Sequence, residues 1–475
     1  MSRLLKGIIF ALASLAGLLI IISVVLYVFF NTSAYRSGIE RIASEALGAE
    51  VLVGGKITIS FFPDLHIKLR GVRVRVRGMD IVSVKEAVVR PALLPLFKME
   101  VSIKSVALLN PAVTVTRGSG GRFNFEQWDT AASTSPAVDL DRLSISGGTL
   151  TYADENSGGG FAVENFSLNA LNLRIAQGKN AEFLKRLSFA AKFKCRQARV
   201  QSFVLSNVEC KCVCKNGVFI FDPATFKLFG GKGSGRIEAD LAGNVPGYSV
   251  LCNLSRFSIE EYFKTLSSNK VLQGPMDFSA NLSMLGNTGD ELKRSARGDA
   301  SLTGESLTLY GSDLDREFAR FESSQNFSLF DAGAYFFVGP LGLLVTKGYN
   351  FANVIKGGGG ESVIGKLFSG WKIDNGSALA GDVAFSTKKN RVALKGKINF
   401  ASERFDDVTI AIIDAKGCAK IKQKVHGSFR KPVADKPDIL VSLAGPAINL
   451  FKKGRNIFAG GKCEVFYAGS VPAPK

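Results

Sequence analysis

Chemistry in this chain would have to come from a short inventory. Only two histidines, His66 and His426, occur in 475 residues. A Ser-His-Asp triad or a zinc site would exhaust them and would have to unite positions far apart in sequence. The seven cysteines are Cys195, Cys210, Cys212, Cys214, Cys252, Cys418 and Cys463. Cys210, Cys212 and Cys214 have a spacing that could offer three thiolates to a soft metal. They alternate along a strand-like stretch, which puts all three sulfurs on one face, and no second Cys pair completes a four-ligand set. Small buried side chains or one cross-strand disulfide are the plainer readings. An odd number leaves at least one thiol free or paired between chains, and Cys418 with Cys463 is one candidate bridge.

The other motifs are incomplete. Gly360-Glu361-Ser362-Val363-Ile364-Gly365-Lys366 matches a phosphate-binding loop for seven positions. The eighth is Leu367, where Ser or Thr would hold magnesium. Asp139 with Asp141 and Asp313 with Asp315 are paired carboxylates of the kind used for metals or acid–base work, but both stand beside turn-like residues, where Asp is common. No Gly-x-Ser-x-Gly elbow and no His-Glu-x-x-His are present. The chain is therefore not expected to be an enzyme, and no cofactor or metal is expected. An anchored hydrolase using Asp313 or Asp315 is the weakest alternative.

Composition bounds what must position these residues. Lys+Arg total 60 and Asp+Glu 41, a net +19, which favours anionic partners. Apolar residues are 46% and charged residues 21%, enough for a sizeable core. With 50 Gly and only 14 Pro, the chain suits many short strands and turns rather than a Pro-rich linker. A prior of ~150 residues per domain suggests about three domains.

The first segment sets the compartment. Gly7 to Phe30 carries no charge, and a helix of that length spans roughly 36 Å, enough for a ~30 Å hydrocarbon layer. A cleaved signal peptide would have a shorter apolar core and a small-x-small site. Leu26-Tyr27-Val28-Phe29-Phe30 offers none, so an uncleaved anchor is expected. Arg3 and Lys6 precede it, whereas Arg36 and Arg41 follow with Glu40 and Glu45 among them. The positive-inside rule then puts residues 1–6 in the cytoplasm and the bulk of the chain on the other side. With an anchor and that compartment, nucleic acid is not an expected partner despite the charge.

Beyond the anchor, Ser33 to Leu47 reads as a helix, with Ile39, Ile42, Ala43, Ala46 and Leu47 at 3–4 spacing and Gly48 to stop it. The period then becomes two. Ile57, Ile59 and Phe61 alternate with Thr58 and Ser60, and Pro63-Asp64 makes a turn. Leu65, Ile67 and Leu69 alternate with His66, Lys68 and Arg70. Gly71 shifts the phase, after which Val72, Val74 and Val76 alternate with Arg73, Arg75 and Arg77. Such a slip should swap the faces, so Gly71 is expected at a bulge or bend that restores them. One face is then aliphatic and the other a row of cations. Val101–Val106, Val113–Thr116, Leu143–Tyr152 and Val392–Phe400 continue the texture, the last two reading as hairpins. Short helices are expected at Ile259–Leu266 and Asp313–Phe321. Gly158-Gly159-Gly160 and Gly357 to Gly360 are candidate boundaries. The fold class expected is mainly β, a transmembrane helix followed by a mostly antiparallel, curled sheet with a few short helices. The apolar face must be covered by a second sheet, by helices or by something greasy, and from alternation alone an ordinary sandwich core is the simplest reading. Phe, at 36 residues against two Trp and nine Tyr, suits an apolar lining with few polar handles.

Several segments together resemble the AsmA family of inner-membrane-anchored proteins. They are Gly54-Gly55-Lys56-Ile57-Thr58-Ile59-Ser60-Phe61-Phe62-Pro63, Leu65-His66-Ile67-Lys68-Leu69-Arg70-Gly71-Val72, Pro91-Ala92-Leu93-Leu94-Pro95-Leu96-Phe97, Val106-Ala107-Leu108-Leu109-Asn110-Pro111 and Arg122-Phe123-Asn124-Phe125. Near the other end, Gly298-Asp299-Ala300-Ser301-Leu302-Thr303-Gly304 and Leu307-Thr308-Leu309-Tyr310-Gly311-Ser312-Asp313-Leu314 are similar to its C-terminal region. The parts expected are then the transmembrane helix 7–30, an N-terminal region 31–135, a middle region 136–296 and a C-terminal region 297–475.

The resemblance implies a single-pass protein of a bacterial inner membrane with its bulk in the periplasm. It implies an elongated β-groove with a hydrophobic interior, related to bridge-like lipid transfer proteins, and a role in outer-membrane biogenesis by moving phospholipid. It supplies no catalytic residue. Leu65, Ile67, Leu69, Val72, Val74 and Val76 are the residues that could begin an acyl-chain track. Lys68, Arg73, Arg75 and Arg77 are the candidates to meet anionic headgroups. The cations from Lys68 to Lys104 number nine, and the acids in or just before that stretch are Asp64, Asp80, Glu86 and Glu100. A solvated face on a basic protein explains them equally well. At 4.8 Å per strand, ~25 strands would make a track on the order of 100 Å. The rival function is a non-transporting scaffold with a dry core that assists outer-membrane protein assembly. Phospholipid, the inner membrane and periplasmic or outer-membrane proteins are the partners expected.

Overall fold

A computed structural model describes residues 33–47, 49–60, 62, 64–76, 78–92, 103–119, 124, 134–135, 137–155, 158–179, 183–265, 270–324, 359–439 and 465–474. The expected anchor, Gly7 to Phe30, lies outside them, as do Arg77 and Cys463. Among the described residues no helix is long and apolar enough to cross a membrane. The chain divides into two compact units, Met1–Phe226 and Lys227–Lys475.

In the first unit, α1 (Ser33–Leu47) has the bounds that the 3–4 spacing predicts. It closes the edge of β1 (Glu50–Val53): the Val53 amide donates to Glu40 Oε1 at 2.6 Å and the Val51 amide to Ser44 Oγ at 2.9 Å. An edge strand satisfied this way does not invite another chain. β2 (Ile57–Ser60) and β3 (His66–Val76) form the predicted hairpin, with Ile59 opposite Ile67. β4 (Met79–Pro91) and β5 (Ile103–Arg117) follow, and each neighbouring pair is antiparallel. β6 (Thr134–Ser135) pairs with β9 (Gly178–Lys179) apart from the main sheet. β7 (Val138–Asp154) joins β5 in parallel, the one departure from antiparallel order among the described ladders. β8 (Gly160–Ile175), the single turn α2 (Phe183–Arg186), β10 (Leu187–Val200) and β11 (Phe203–Lys215) complete the run. β12 (Val218–Leu228) carries the boundary between the units.

The stretch Leu143–Tyr152 is not a hairpin. It is the middle of the single strand β7, because Gly147 takes a left-handed conformation (φ 67°) inside the strand instead of turning the chain back. Val392–Asn399 likewise belongs to one strand, with Gly396 at φ 123° in its interior and Phe400 just beyond its end.

The second unit is antiparallel throughout its described ladders. β13 (Gly231–Asp240), β14 (Gly247–Ser258), β16 (Pro275–Leu285) and β17 (Arg297–Tyr310) pair in turn, with the short β15 (Leu272–Gln273) beside β17. β18 (Glu361–Asp374), β19 (Ser377–Ser386), β20 (Arg391–Asn399), β21 (Arg404–Ile413) and β22 (Ala419–Ser428) continue the meander, and β23 (Lys431–Ala434) and β24 (Asp438–Ile439) both pair with β22. Helices α3 (Ile259–Lys264), α4 (Gly289–Ser295) and α5 (Leu314–Ser324) interrupt them, α3 and α5 where the spacing predicts helices. Thr288 caps α4, its Oγ1 accepting from the Glu291 amide at 3.3 Å.

This unit holds a sealed core. Trp371, Phe385, Phe400, Phe405, Leu307 and Phe318 are each 2% exposed or less. Trp371 stands in register with Ala300, Ala280 and Cys252, so small side chains leave room for the indole, and its Nε1 donates to Ser369 Oγ at 2.8 Å. On the other face of β19–β21, the segment 465–474 covers Ala384, Ala393 and Ala411 with Tyr467 and Val471. Asp382 holds that segment, accepting from the Tyr467 hydroxyl at 2.5 Å and the Ser470 amide at 2.9 Å, and buried Arg391 donates to the Val471 carbonyl at 3.0 Å.

Candidate functional site

The aliphatic face begun by β3 extends through the ladders from β2 to β11. Residues in register follow one another from strand to strand as transverse rows. One row is Ile59, Ile67, Val89, Val106, Leu143, Ala170, Ala191 and Cys212. The next is Ile57, Leu69, Ala87, Leu108, Ile145, Leu168, Phe193 and Cys210. A third is Val53, Val72, Val84 and Pro111, then Gly148, Phe166, Cys195 and Val208. A fourth is Val51, Val74, Val82, Val113, Leu150, Val163, Ala198 and Leu205. A last, shorter row holds Val115, Tyr152, Phe161, Val200 and Phe203. No charged residue stands in any of them. Rows lie ~6.7 Å apart and strands ~4.8 Å apart, so the face is a continuous apolar surface.

Of the candidate track residues, Ile67, Leu69, Val72 and Val74 stand in these rows, with Val76 two residues beyond Val74 in the same strand. Val74 and Val76 are each 8% exposed, while Leu65, Ile67, Leu69 and Val72 are half-buried. Farther along, Leu108, Val113, Leu150, Val163, Leu168 and Leu205 are also half-buried. Phe161 is 38% exposed and Val200 46%. Single-sequence alternation finds the β3 part of this face. It misses β7 and β8, where the phase changes inside each strand.

Those phase changes line up. Gly71 (φ 62°) in β3, Asn110 (φ 48°) in β5, Gly147 (φ 67°) in β7, Asn165 (φ 51°) in β8 and Asn207 (φ 50°) in β11 are all left-handed. The ladders place Asn110 beside Gly147, and Asn165 and Asn207 on either side of Arg196 of β10. At each of them the inward apolar residues are three apart instead of two, as with Leu69 and Val72. Between β7 and β8 the line steps by one rung, at the irregularity where Gly148 faces Phe166. A Cβ on Gly148 would lie 2.4 Å from the Phe166 ring, so the ring occupies the glycine's missing side chain. At Gly71 the bulge appears on the β1–β2 side: Gly54-Gly55-Lys56 oppose Arg70-Gly71, with the Gly54 amide donating to the Gly71 carbonyl at 3.0 Å.

Of the candidate headgroup residues, Lys68, Arg73 and Arg75 lie on the opposite face and each stands beside a carboxylate, while Arg77 lies outside the described residues. Lys68 Nζ stands 3.1 Å from Glu86, and Arg70 3.3 Å from the same carboxylate. Arg75 Nε stands 2.5 Å from Asp80, with Arg73 3.9 Å away. The Lys68 hydrogen bond, and then Arg70, holds the Glu86 carboxyl below its ordinary range. Arg90 does the same for Asp64.

Four of the cysteines, Cys195, Cys210, Cys212 and Cys214, belong to the apolar face. Cys212 and Cys214 are buried and Cys210 half-buried on one side of β11, with Cys195 on β10 beside Val208. Cys195, Cys210, Cys212, Cys214 and Cys252 are free thiols. Burial is the first cause that pushes Cys212 up to about 12, with its cysteine neighbours adding to it, so it is a packing group and not a thiolate at neutral pH. Among the described residues no cluster could hold a metal ion. Cys418 is disulfide-bonded, and its proposed partner Cys463 lies outside the described residues.

The phosphate-loop-like stretch and the Asp313 and Asp315 pair take part in local structure. Gly360–Lys366 leads into and forms β18, and Lys366 pairs with Glu305 at 3.8 Å. Asp313 accepts the Arg316 amide at the start of α5. Asp315 accepts from Thr387 Oγ1 at 2.5 Å and Asn390 Nδ2 at 2.7 Å. His66 lies beside Asp64 and His426 beside Asp435, in different units.

Comparison with known proteins agrees with the order of sequence segments. No curated protein matches the chain. The model of the AsmA family matches residues 1–176 and 177–316, running through the aliphatic face and on to the start of α5. A match over that much of the sequence places the chain in the AsmA family.

Proposed function

We propose that this protein is an inner-membrane-anchored, periplasmic member of the AsmA family that carries phospholipid acyl chains on the aliphatic face of its first unit, in support of outer-membrane biogenesis. The observation that carries this is the set of charge-free transverse rows whose large side chains remain half-buried from β5 onward. A soluble protein gains ~25 cal/mol for each Å² of such surface it covers, so a face left partly open is suited to a greasy occupant. Acyl chains would lie against the rows while the headgroup stays in water. Lys68, Arg73 and Arg75, each already beside a carboxylate, enter this reading only as a basic outward surface toward an anionic leaflet. The duties of Asp313 and Asp315 in α5 and the 387–390 turn support a non-enzymatic role.

The sealed core around Trp371 favours a second reading for the other unit, as a scaffold for outer-membrane or periplasmic proteins.

The test is native mass spectrometry of the full chain extracted from membranes. The proposal expects bound diacyl phospholipid that is lost in a Leu108→Asp, Leu150→Asp double variant. A folded wild-type chain that carries no lipid would overturn it.

A further inference from the structure

We propose that Gly71, Asn110, Gly147, Asn165 and Asn207 act together as a positioning line that makes one apolar track out of two half-faces. Each of these residues is left-handed inside a strand, and each sits where its strand's inward residues change from one alternation phase to the other. In an uninterrupted strand, residues three apart point to opposite faces. Leu69 and Val72, Leu108 and Pro111, Ile145 and Gly148, Phe166 and Val163, and Val208 and Leu205 are all three apart and yet share the aliphatic face. One left-handed residue between the members of each pair supplies the missing half-turn.

The choice of residue fits the backbone. Gly and Asn are the residues that adopt positive φ at least cost, and a β-branched residue there is a strong outlier. The two intervening strands, β4 and β10, make the same three-residue step at Val84 to Ala87 and at Cys195 to Ala198 without a left-handed residue. They are carried through it by neighbours on both sides, because the ladders keep them in register with β3 and β5, and with β8 and β11. The line therefore works as a set. Without it, the rows on one side, such as Val113, Leu150, Val163 and Leu205, would turn to the face opposite Leu108, Ile145, Leu168 and Cys210. An apolar path along the strands would then be cut at the middle of the sheet.

This inference rests on the lipid-track reading only for its lipid readout, and its geometric part stands alone. The experiment uses the full chain in nanodiscs and compares wild type with Asn110, Asn165 and Asn207 all changed to Gly, and all changed to Val. Hydroxyl-radical footprinting reads side-chain exposure without any ligand. Photo-crosslinkers at Leu168 and Val163, on the two sides of the line, read lipid in cells fed labelled phosphate. The Gly variant is expected to match wild type in both. The Val variant is expected to raise oxidation at Val113, Val163 and Leu205 at least threefold, to leave Leu108 and Leu168 unchanged, and to lose lipid capture at Val163 by about tenfold while keeping it at Leu168. If the triple Val variant does not fold, the Asn165→Val, Asn207→Val double variant, which leaves β10 with no left-handed neighbour, is read in the same way at Val163 and Leu205. A Val variant with wild-type oxidation on both sides overturns the proposal, as does a Gly variant that behaves like the Val variant. Oxidation that follows the prediction in a protein that captures no lipid at either site upholds the positioning line and overturns the lipid reading.

Discussion

In the first unit the row from Val82 through Val113, Leu150 and Val163 to Leu205 keeps part of every side chain open, whereas in the second unit Ala280, Ala300 and Trp371, in register with one another, are closed to water. Both are built from long, mostly antiparallel strands with alternating faces. They differ in what the inward positions hold. The first unit mixes aliphatics with Phe, Ala and Gly along its rows, and among the described residues no aromatic side chain there is sealed from water as Trp371 is. The second opposes small residues to large aromatics, and it adds α3, α5 and the 465–474 segment as covers. Its largest fully buried side chains, among them Met276, Leu307, Phe318, Trp371 and Phe405, have no equal among the described residues of the first unit. Strand alternation makes a face apolar, and size complementarity decides whether that face becomes a core.

The difference can be broken by mutation. Trp371→Ala should cost about 3–5 kcal/mol, since it empties a closed site. Urea unfolding of the full chain would measure it. Gly148→Leu forces the Phe166 ring off its place and should cost about 1–3 kcal/mol in the same measurement. Leu108→Ala, on the open face, should cost only about 1 kcal/mol. A loss as large as that of Trp371→Ala would mean that the first unit is sealed as well.

Two gentler tests sharpen the contrast. Adding phospholipid to delipidated protein should slow amide exchange in β5, β7 and β8 and leave β19–β21 unchanged, as read by mass spectrometry. Acid should act most weakly. Glu86 and Asp64 have carboxyls lowered by Lys68 and Arg90, so their contribution is present above the ordinary carboxylate pKa. It is lost as pH falls through the lowered folded values. Glu86→Gln should flatten that acid limb of a stability-against-pH curve without changing stability's slope near neutral pH.

Much of this was legible residue by residue. Helix α1, the β2–β3 hairpin and the bulge at Gly71 follow from spacing, because each is decided within a dozen residues. The Gly147-Gly148 pair was not legible as a strand interior. A left-handed glycine inside a strand and one in a hairpin turn look alike in sequence, and only the ladder with Asn110 and Phe166 separates them. Asn165 and Asn207 gave no signal at all, since an isolated Asn fits a turn as well as a crease. That Lys68 and Arg75 are paired was also hidden, because Glu86 and Asp80 become neighbours through cross-strand register. The open state of the aliphatic face could not be read either, for alternation predicts an apolar face and is silent on what covers it.

The most direct test places a photo-crosslinker at Val113, half-buried on the aliphatic face, and at its exposed neighbour Ala112 on the other, in cells fed labelled phosphate. The account predicts labelled lipid captured at Val113 and not at Ala112. Equal capture at both positions, or none at Val113 in folded protein, would contradict it.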